Sequence, residues 1–249
     1  MLEENQIYLG DCIDLMKQIP DKSIDMILCD LPYGTTACKW DTIIPFEPLW
    51  EQYKRIIKDN GAIVLTASQP FTSALVMSNI KMFKYEWIWD KKSPTGHLNA
   101  KRMPMKRHEN ILIFGKKNIK YIPQTILREN IREDTAGGVI SDGTGKSAFG
   151  KHSRVAGKFT HRQPTTIQEF SNANKTNVLH PTQKPVALFE YLIKTYTNEG
   201  DLVLDNCAGS GTLGIAAINT KRNYILIEKE EKYCKIANER IKNLPAKLI

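Results

Sequence analysis

Leu202-Val203-Leu204-Asp205-Asn206-Cys207-Ala208-Gly209-Ser210-Gly211-Thr212 is the stretch that decides the reading of this 249-residue chain. An apolar strand ends in an aspartate, a glycine-bearing turn follows, and Thr212–Asn219 then has a helical pattern. Glycine lets a backbone bend tightly and approach a bound molecule that a Cβ would exclude. Gly209, Gly211 and Gly214 have the G-x-G-x-x-G spacing of a dinucleotide fingerprint, and the next strand, Tyr224–Ile227, runs into Glu228. Only 21 residues follow Glu228, enough for one helix but not for the rest of a nucleotide-binding half. The sheet must be completed by strands from the N-terminal half, in a circularly permuted order.

Working outward, five further runs read as strands: Gln6–Leu9, Asp25–Cys29, Ala62–Thr66, Tyr85–Trp89 and Asn110–Phe114. Several are nearly continuous in apolar residues, as strands covered on both faces by helices are. Helical patterns lie at Pro48–Lys58, Pro70–Asn79, Pro185–Thr195 and Glu231–Asn243, and Pro48, Pro70 and Pro185 sit where a missing amide hydrogen costs nothing. Alternating strands and helices predict an α/β fold with a seven-stranded, mostly parallel, doubly wound sheet.

Asp205 at the strand end sets an anion where a pyrophosphate would be repelled and a cationic amino group held. The amino-acid tail of S-adenosylmethionine (SAM) carries such a group. Glu228 suits a pair of ribose hydroxyls on either cofactor. A nicotinamide-dependent oxidoreductase therefore stays open as an alternative, with the C-terminal position of the loop against it.

Charge is unevenly spread. Residues 81–162 hold 18 basic and 7 acidic groups, whereas residues 1–80 are net −5 and residues 163–249 net +2. A concentrated basic segment beside a neutral or acidic core is the footprint of a polyanion binder, although a solvated lysine-rich surface has the same composition. Between Lys116 and Val178 periodicity fades, and 6 of the 15 glycines fall between Gly137 and Gly157. Two readings fit this stretch: a disordered insertion, or a loop ordered by a charged partner. Lys146, Lys151, Arg154, Lys158 and Arg162, with the neighbouring Lys101, Arg102, Lys106 and Arg107, favour contact with a polyanion. The acidic, polar N-terminus is no signal or transit peptide, and no apolar run approaches a membrane span, which predicts a protein of the cell interior without a membrane partner. Cys12, Cys29, Cys38, Cys207 and Cys234 form no C-x-x-C pair, so no metal site is expected.

Strand Asp25–Cys29 runs straight into Asp30-Leu31-Pro32-Tyr33-Gly34. Open α/β sheets place their ligands at the carboxyl ends of strands, so this acid stands where chemistry is expected. Pro32 stiffens the turn and pushes Leu31 towards an extended conformation. The Asp30 carboxylate and the Leu31 carbonyl can then converge on an NH2 group, with Tyr33 offering a flat face to an extruded base.

Here the chain resembles a known family. Asp30-Leu31-Pro32-Tyr33 is similar to the [DNS]-P-P-[YFW] motif of methyltransferases that act on exocyclic amino groups of DNA bases. His180-Pro181-Thr182-Gln183-Lys184-Pro185 is similar to the family's HPTQKP motif, and His108-Glu109-Asn110-Ile111-Leu112-Ile113-Phe114 to its H-E-x-hydrophobic strand. With the catalytic motif first and the cofactor loop last, the order resembles the β class. The departure is Leu31 where the family usually has proline, which leaves the backbone carbonyl unchanged.

The resemblance implies a Rossmann-like methyltransferase sheet split into a catalytic half (1–115), a target-recognition insertion (116–178) and a cofactor-binding half (179–249). It implies SAM as cofactor, double-stranded DNA as partner, and a restriction-modification setting in a bacterial or phage-encoded cytoplasmic enzyme; homodimers are common in the class. Asp30, Leu31, Pro32 and Tyr33 become the catalytic residues. Asp11, Cys12, His180, Thr182, Lys184, Asp205, Asn206, Ala208, Gly209, Gly211 and Glu228 become the cofactor residues. Asp11 has a second reading as the cap of a short helix. Asp at the first catalytic position leans towards adenine N6, with cytosine N4 as the alternative. Trp40 and Phe46 border the expected pocket, Phe46 more as core packing. A methyltransferase acting on RNA or protein, and a DNA-binding protein without activity, are the remaining readings.

Overall fold

The computed structural model describes residues 1–35, 38, 41–134, 157–172 and 183–244. In chain order the elements are β1 (Gln6–Leu9), α1 (Cys12–Met16), β2 (Ile24–Cys29), α2 (Phe46–Ile56), β3 (Ile57–Ala67), α3 (Phe71–Ser78), β4 (Phe83–Thr95) and β5 (Lys106–Phe114). Then follow β6 (Ile126–Asp134), β7 (Gly157–Arg162), β8 (Ile167–Glu169), α4 (Val186–Tyr196), β9 (Leu202–Asp205), α5 (Thr212–Asn219), β10 (Asn223–Glu228) and α6 (Glu231–Lys242).

One sheet runs in the order β1-β10-β9-β2-β3-β5-β4-β8. The pairings from β1 through β3 and that of β4 with β8 are parallel, whereas β5 runs antiparallel to both its neighbours. The sheet is thus mostly parallel, with eight strands rather than seven among the described residues. The addition is β8, three residues with an exposed face that extend the β4 edge. The glycine-loop strand β9 sits between C-terminal β10 and N-terminal β2.

Strand residues alternate between two cores, as a period of two requires. Ile27 and Cys29 of β2, with Ile63 and Leu65 of β3, face Leu49, Tyr53 and Ile56 of α2 and Phe71 and Leu75 of α3. Met26 and Leu28, with Ala62 and Val64, face Leu188, Leu192 and Ile193 of α4 and Leu213, Ala216 and Ala217 of α5. Each of the larger side chains buried this way contributes about 1.5–3 kcal/mol. The helix-opening prolines stand one step earlier than expected: Pro70 and Pro185 are N-cap residues, and Pro45 rather than Pro48 caps α2.

The chain forms two compact units. The larger comprises residues 1–122 and 166–249 and contains the whole sheet; the smaller, residues 123–165, contains the antiparallel ribbon β6–β7. Lys158 and Arg162 lie on β7, with exposed side chains, and Lys158 pairs with Glu133 across the ribbon at 2.9 Å. Lys146, Lys151 and Arg154 lie outside the described residues. Among the described residues no helix is long and apolar enough to cross a membrane.

Candidate active site

A cavity of about 980 Å³ opens at the carboxyl ends of β2, β9 and β10 in the larger unit, a volume typical of small-molecule sites. Two of its walls matter most.

The first wall is built on β2. Asp30 follows the strand directly, and its Oδ1 accepts hydrogen bonds from the Tyr33 hydroxyl at 2.7 Å and from the Thr66 hydroxyl. Its Oδ2 accepts from Lys184 Nζ at 2.7 Å. A carboxylate accepts roughly four hydrogen bonds, so about one lone pair of Asp30 stays available. Lys184 also meets Glu109 Oε2 at 3.3 Å, and the other Glu109 oxygen pairs with Lys91 at 2.8 Å. The result is a buried chain of alternating charge, Asp30–Lys184–Glu109–Lys91, with Lys184 and Lys91 only 7% and 6% exposed. Burial alone would depress the Lys184 ammonium, but Asp30 and Glu109 override it and raise its pKa. Burial would likewise raise the Glu109 carboxyl, but Lys184 and Lys91 hold it below the usual range.

The Tyr33 ring stacks on Phe71 at 5.2 Å and 26°, and Lys184 Nζ lies 5.7 Å from its centroid. Leu31 is 4% exposed and belongs to the α2–α3 core, so this side chain serves packing as well as spacing the turn. Asp41 pins the other end of the turn, accepting from the Gly34 and Thr35 amides at 2.8 and 2.9 Å. Phe46 packs near Phe71 in that same core, as expected of it, and Trp40 lies outside the described residues.

The second wall is the glycine loop. Asp205 ends β9, is 3% exposed, and accepts from the Cys207 amide at 3.0 Å. Burial pushes its pKa up to about 7, with Asp30 and Glu228 adding to the rise. Glu228 ends β10; its oxygens accept from the Gly209 and Glu230 amides at 2.7 and 2.8 Å, and burial raises its pKa despite those bonds. The Tyr53 hydroxyl fixes Asn206 at 2.6 Å. Gly211 N-caps α5 at φ +77°, where an added Cβ would stand 2.8 Å from that of Ala237, so glycine is required on two counts. A buried carboxylate without a cationic side chain among the described residues, a second carboxylate one strand away and a loop that admits no Cβ at Gly211 together suit a ligand with an ammonium group and paired hydroxyls.

Of the expected cofactor residues, Asp11, Cys12, Lys184, Asp205, Asn206, Ala208, Gly209 and Glu228 all line this cavity, whereas Gly211, the α5 N-cap between the lining residues Ser210 and Thr212, does not. His180 and Thr182 lie outside the described residues. Asp11 has both of its readings at once, since it lines the cavity and caps α1 by accepting from the Ile13 amide at 2.9 Å. Lys184 stands on the Asp30 side, held by Asp30 and Glu109. All four catalytic candidates, Asp30, Leu31, Pro32 and Tyr33, line the cavity as well. The sequence reading missed Thr66, Asp41 and Lys91 as site residues. Thr66 had a usable signal, a polar residue closing an apolar strand beside β2; Asp41 and Lys91 had none. Of the basic candidates, Lys106 lines the cavity and bonds Ser68, Arg107 pairs with Asp90 at 2.7 Å, and Lys101 and Arg102 are exposed on the β4–β5 loop.

The chain is similar to known proteins. The Type II methyltransferase M1.MboII of Moraxella bovis is 29% identical, over 96% of each chain. The DNA adenine methyltransferase YhdJ of Escherichia coli K12 is 30% identical, over 96% of this chain and 83% of its own. The solved structure of the M1.HpyAVI–SAM complex superposes with a TM-score of 0.62 at 26% identity, covering 94% of this chain and 98% of that one. The family model for the N6_N4_Mtase DNA methylases matches residues 24–239, from the first residue of β2 into α6, and the chain belongs to that family.

Proposed function

We propose that this DNA methylase transfers the methyl group of SAM to adenine N6 in duplex DNA. The observation that carries the reading is the placement of Asp30 and Asp205 at the ends of adjacent strands in one cavity, the first with a lone pair to spare and the second without an ion pair among the described residues. When bound, SAM supplies an electrophilic methyl on a sulfonium. Asp205 would hold its amino group and Glu228 its ribose hydroxyls.

On the other wall, Asp30 accepts one hydrogen of the target amino group and, by the motif logic, the Leu31 carbonyl accepts the other. An exocyclic amino nitrogen is a poor nucleophile because its lone pair conjugates with the ring. Two acceptors orient that lone pair out of conjugation, and positioning with electrostatics supplies most of the acceleration. As the nitrogen gains positive charge, Asp30 offsets it and takes up the released proton at a carboxylate oxygen. Lys184 holds that carboxylate in place. The target base must leave the stack to reach this depth, and Tyr33, which lines the cavity, borders its path. Burial is the main cause of the raised Tyr33 pKa, and Asp30 and Glu109 add to it, so its hydroxyl stays a donor to Asp30.

Adenine is favoured by aspartate at the first motif position and by the name of the 30%-identical relative. The test is transfer of labelled methyl to mixed-sequence duplex DNA, followed by digestion. Label in N6-methyladenine is the expected result; label in N4-methylcytosine would keep the mechanism and reverse the base. Folded protein that binds SAM but labels no nucleoside would overturn the reading. Dimerisation, common in the resembling class, is read from the same preparation by light scattering.

A further inference from the structure

The loop joining β4 to β5 carries a feature that methyl transfer as derived above does not use. Leu98 is fully exposed, at 100%, and Met103 and Met105 are exposed beside it in sequence at 59% and 40%. Single exposed apolar side chains are ordinary on protein surfaces. Three within eight residues, on a loop this constrained, are not.

The loop is closed at its base, where Thr95 pairs with Lys106 and the Thr95 hydroxyl donates to the Lys106 carbonyl at 3.2 Å. Both closing residues line the catalytic cavity, so the loop rises from its rim. Inside it, the Asn99 amide donates to Gly96 O at 3.0 Å, Ala100 to His97 O at 3.2 Å, Arg102 to Asn99 O at 2.8 Å and Met103 to Asn99 O at 3.0 Å. Gly96 takes φ +96°, which a residue with a Cβ would resist. The backbone thus presents Leu98 on a 3-10 turn (His97–Asn99). Lys101 and Arg102 follow within four residues, and neither is ion-paired among the described residues.

From this geometry we infer that the 96–105 loop is a wedge that enters duplex DNA beside the target base, Leu98 filling the stack as the base leaves it. The inference rests on the DNA reading above. Apolar side chains inserted between base steps, flanked by basic residues on the phosphates, are how proteins hold an unstacked duplex open. The position on the rim suits a wedge, because a base leaving the helix at Leu98 enters the cavity directly. Lys101 and Arg102 supply the charge complementarity that a purely apolar patch would lack.

The test uses the duplex mapped by the methyl-transfer assay, in two forms: fully paired, and with a mismatched partner opposite the target. A mismatch lowers the cost of unstacking. Leu98→Ala is expected to slow transfer to the paired duplex on the order of 10- to 100-fold and to recover most of that loss on the mismatched one. Leu98→Phe, which still fills the gap, should stay near wild type on both. Lys101→Ala should weaken binding to both forms alike and reduce the salt slope by about one. Equal losses for Leu98→Ala on the two duplexes, or no loss on either, would overturn the wedge while leaving the methyltransferase reading intact. Failure of the wild-type enzyme to label any duplex would instead remove both.

Discussion

Asp30 and Asp205 close adjacent parallel strands at the same end of the sheet, yet their surroundings differ in kind. Asp30 has three donors, one of them a buried lysine; its charge is compensated within the protein. Asp205 has one backbone amide and the Cys29 thiol, no ion pair among the described residues, and a pKa raised to about 7 by burial. The difference separates two uses of a buried acid. Where the protein itself supplies the counter-charge, the carboxylate is a fixed tool. Where it does not, the carboxylate is a receptor whose charge is completed by the cation it binds.

The sharpest way to break this comparison is at Asp30. Asp30→Ala should lower methyl transfer by about 10³-fold while the SAM dissociation constant stays near wild type, as calorimetry would read. A matching loss of SAM affinity would show that the two walls are not separable.

Next in size is Lys184→Met, which leaves Asp30 and Glu109 buried without their shared cation. Denaturant unfolding should show a loss of about 3–5 kcal/mol. Adding Glu109→Gln should restore part of that stability without restoring turnover, because the Asp30 carboxylate still lacks its anchor.

Asp205→Asn should act in the opposite sense on stability. A carboxyl whose folded pKa lies above its unfolded one binds its proton more tightly when folded, so the free enzyme loses stability as pH rises from about 4 to 7. The asparagine variant should lose that slope and be at least as stable as wild type at about pH 8. It should also bind SAM about 10- to 100-fold more weakly, the cost of a charge-assisted hydrogen bond. In the wild type, SAM affinity should fall as pH drops below about 7, and in the variant that dependence should vanish; a variant that kept it would point to another titrating group.

The smallest effect belongs to Asp11, about half exposed at the rim. Asp11→Ala should cost about 1 kcal/mol in denaturant unfolding through the lost cap of α1.

Much of this was legible in the sequence because strands buried on both faces declare themselves. Each of the seven expected strands lies in the sheet, and Asp30, Asp205 and Glu228 were found because each terminates an apolar run. The eighth strand was not legible: Ile167-Gln168-Glu169 has no apolar run and exists only through its pairing with β4. Polar Lys58-Asp59-Asn60 hid the start of β3 in the same way. The ribbon β6–β7 is largely exposed and polar, which leaves no periodic signal. Within the site, residue types were readable but partners were not. Lys184 stands 154 positions from Asp30, and Lys91 has no motif; only the fold brings them together.

The strand order carries a consequence for how the molecule is made. β1 and β2 are consecutive along the chain but separated in the sheet by β10 and β9, which among the described strands are synthesised last. A nascent chain that has completed β5 can pair β2, β3, β5 and β4, but β1 has no neighbour and the β9-facing edge of β2 stays open. Open edges recruit other strands, and late non-local pairing is slow. Asp30 is therefore present early in synthesis, long before Lys184 and Asp205 leave the ribosome, and the arrival of β9 and β10 both seals the vulnerable edge and assembles the site.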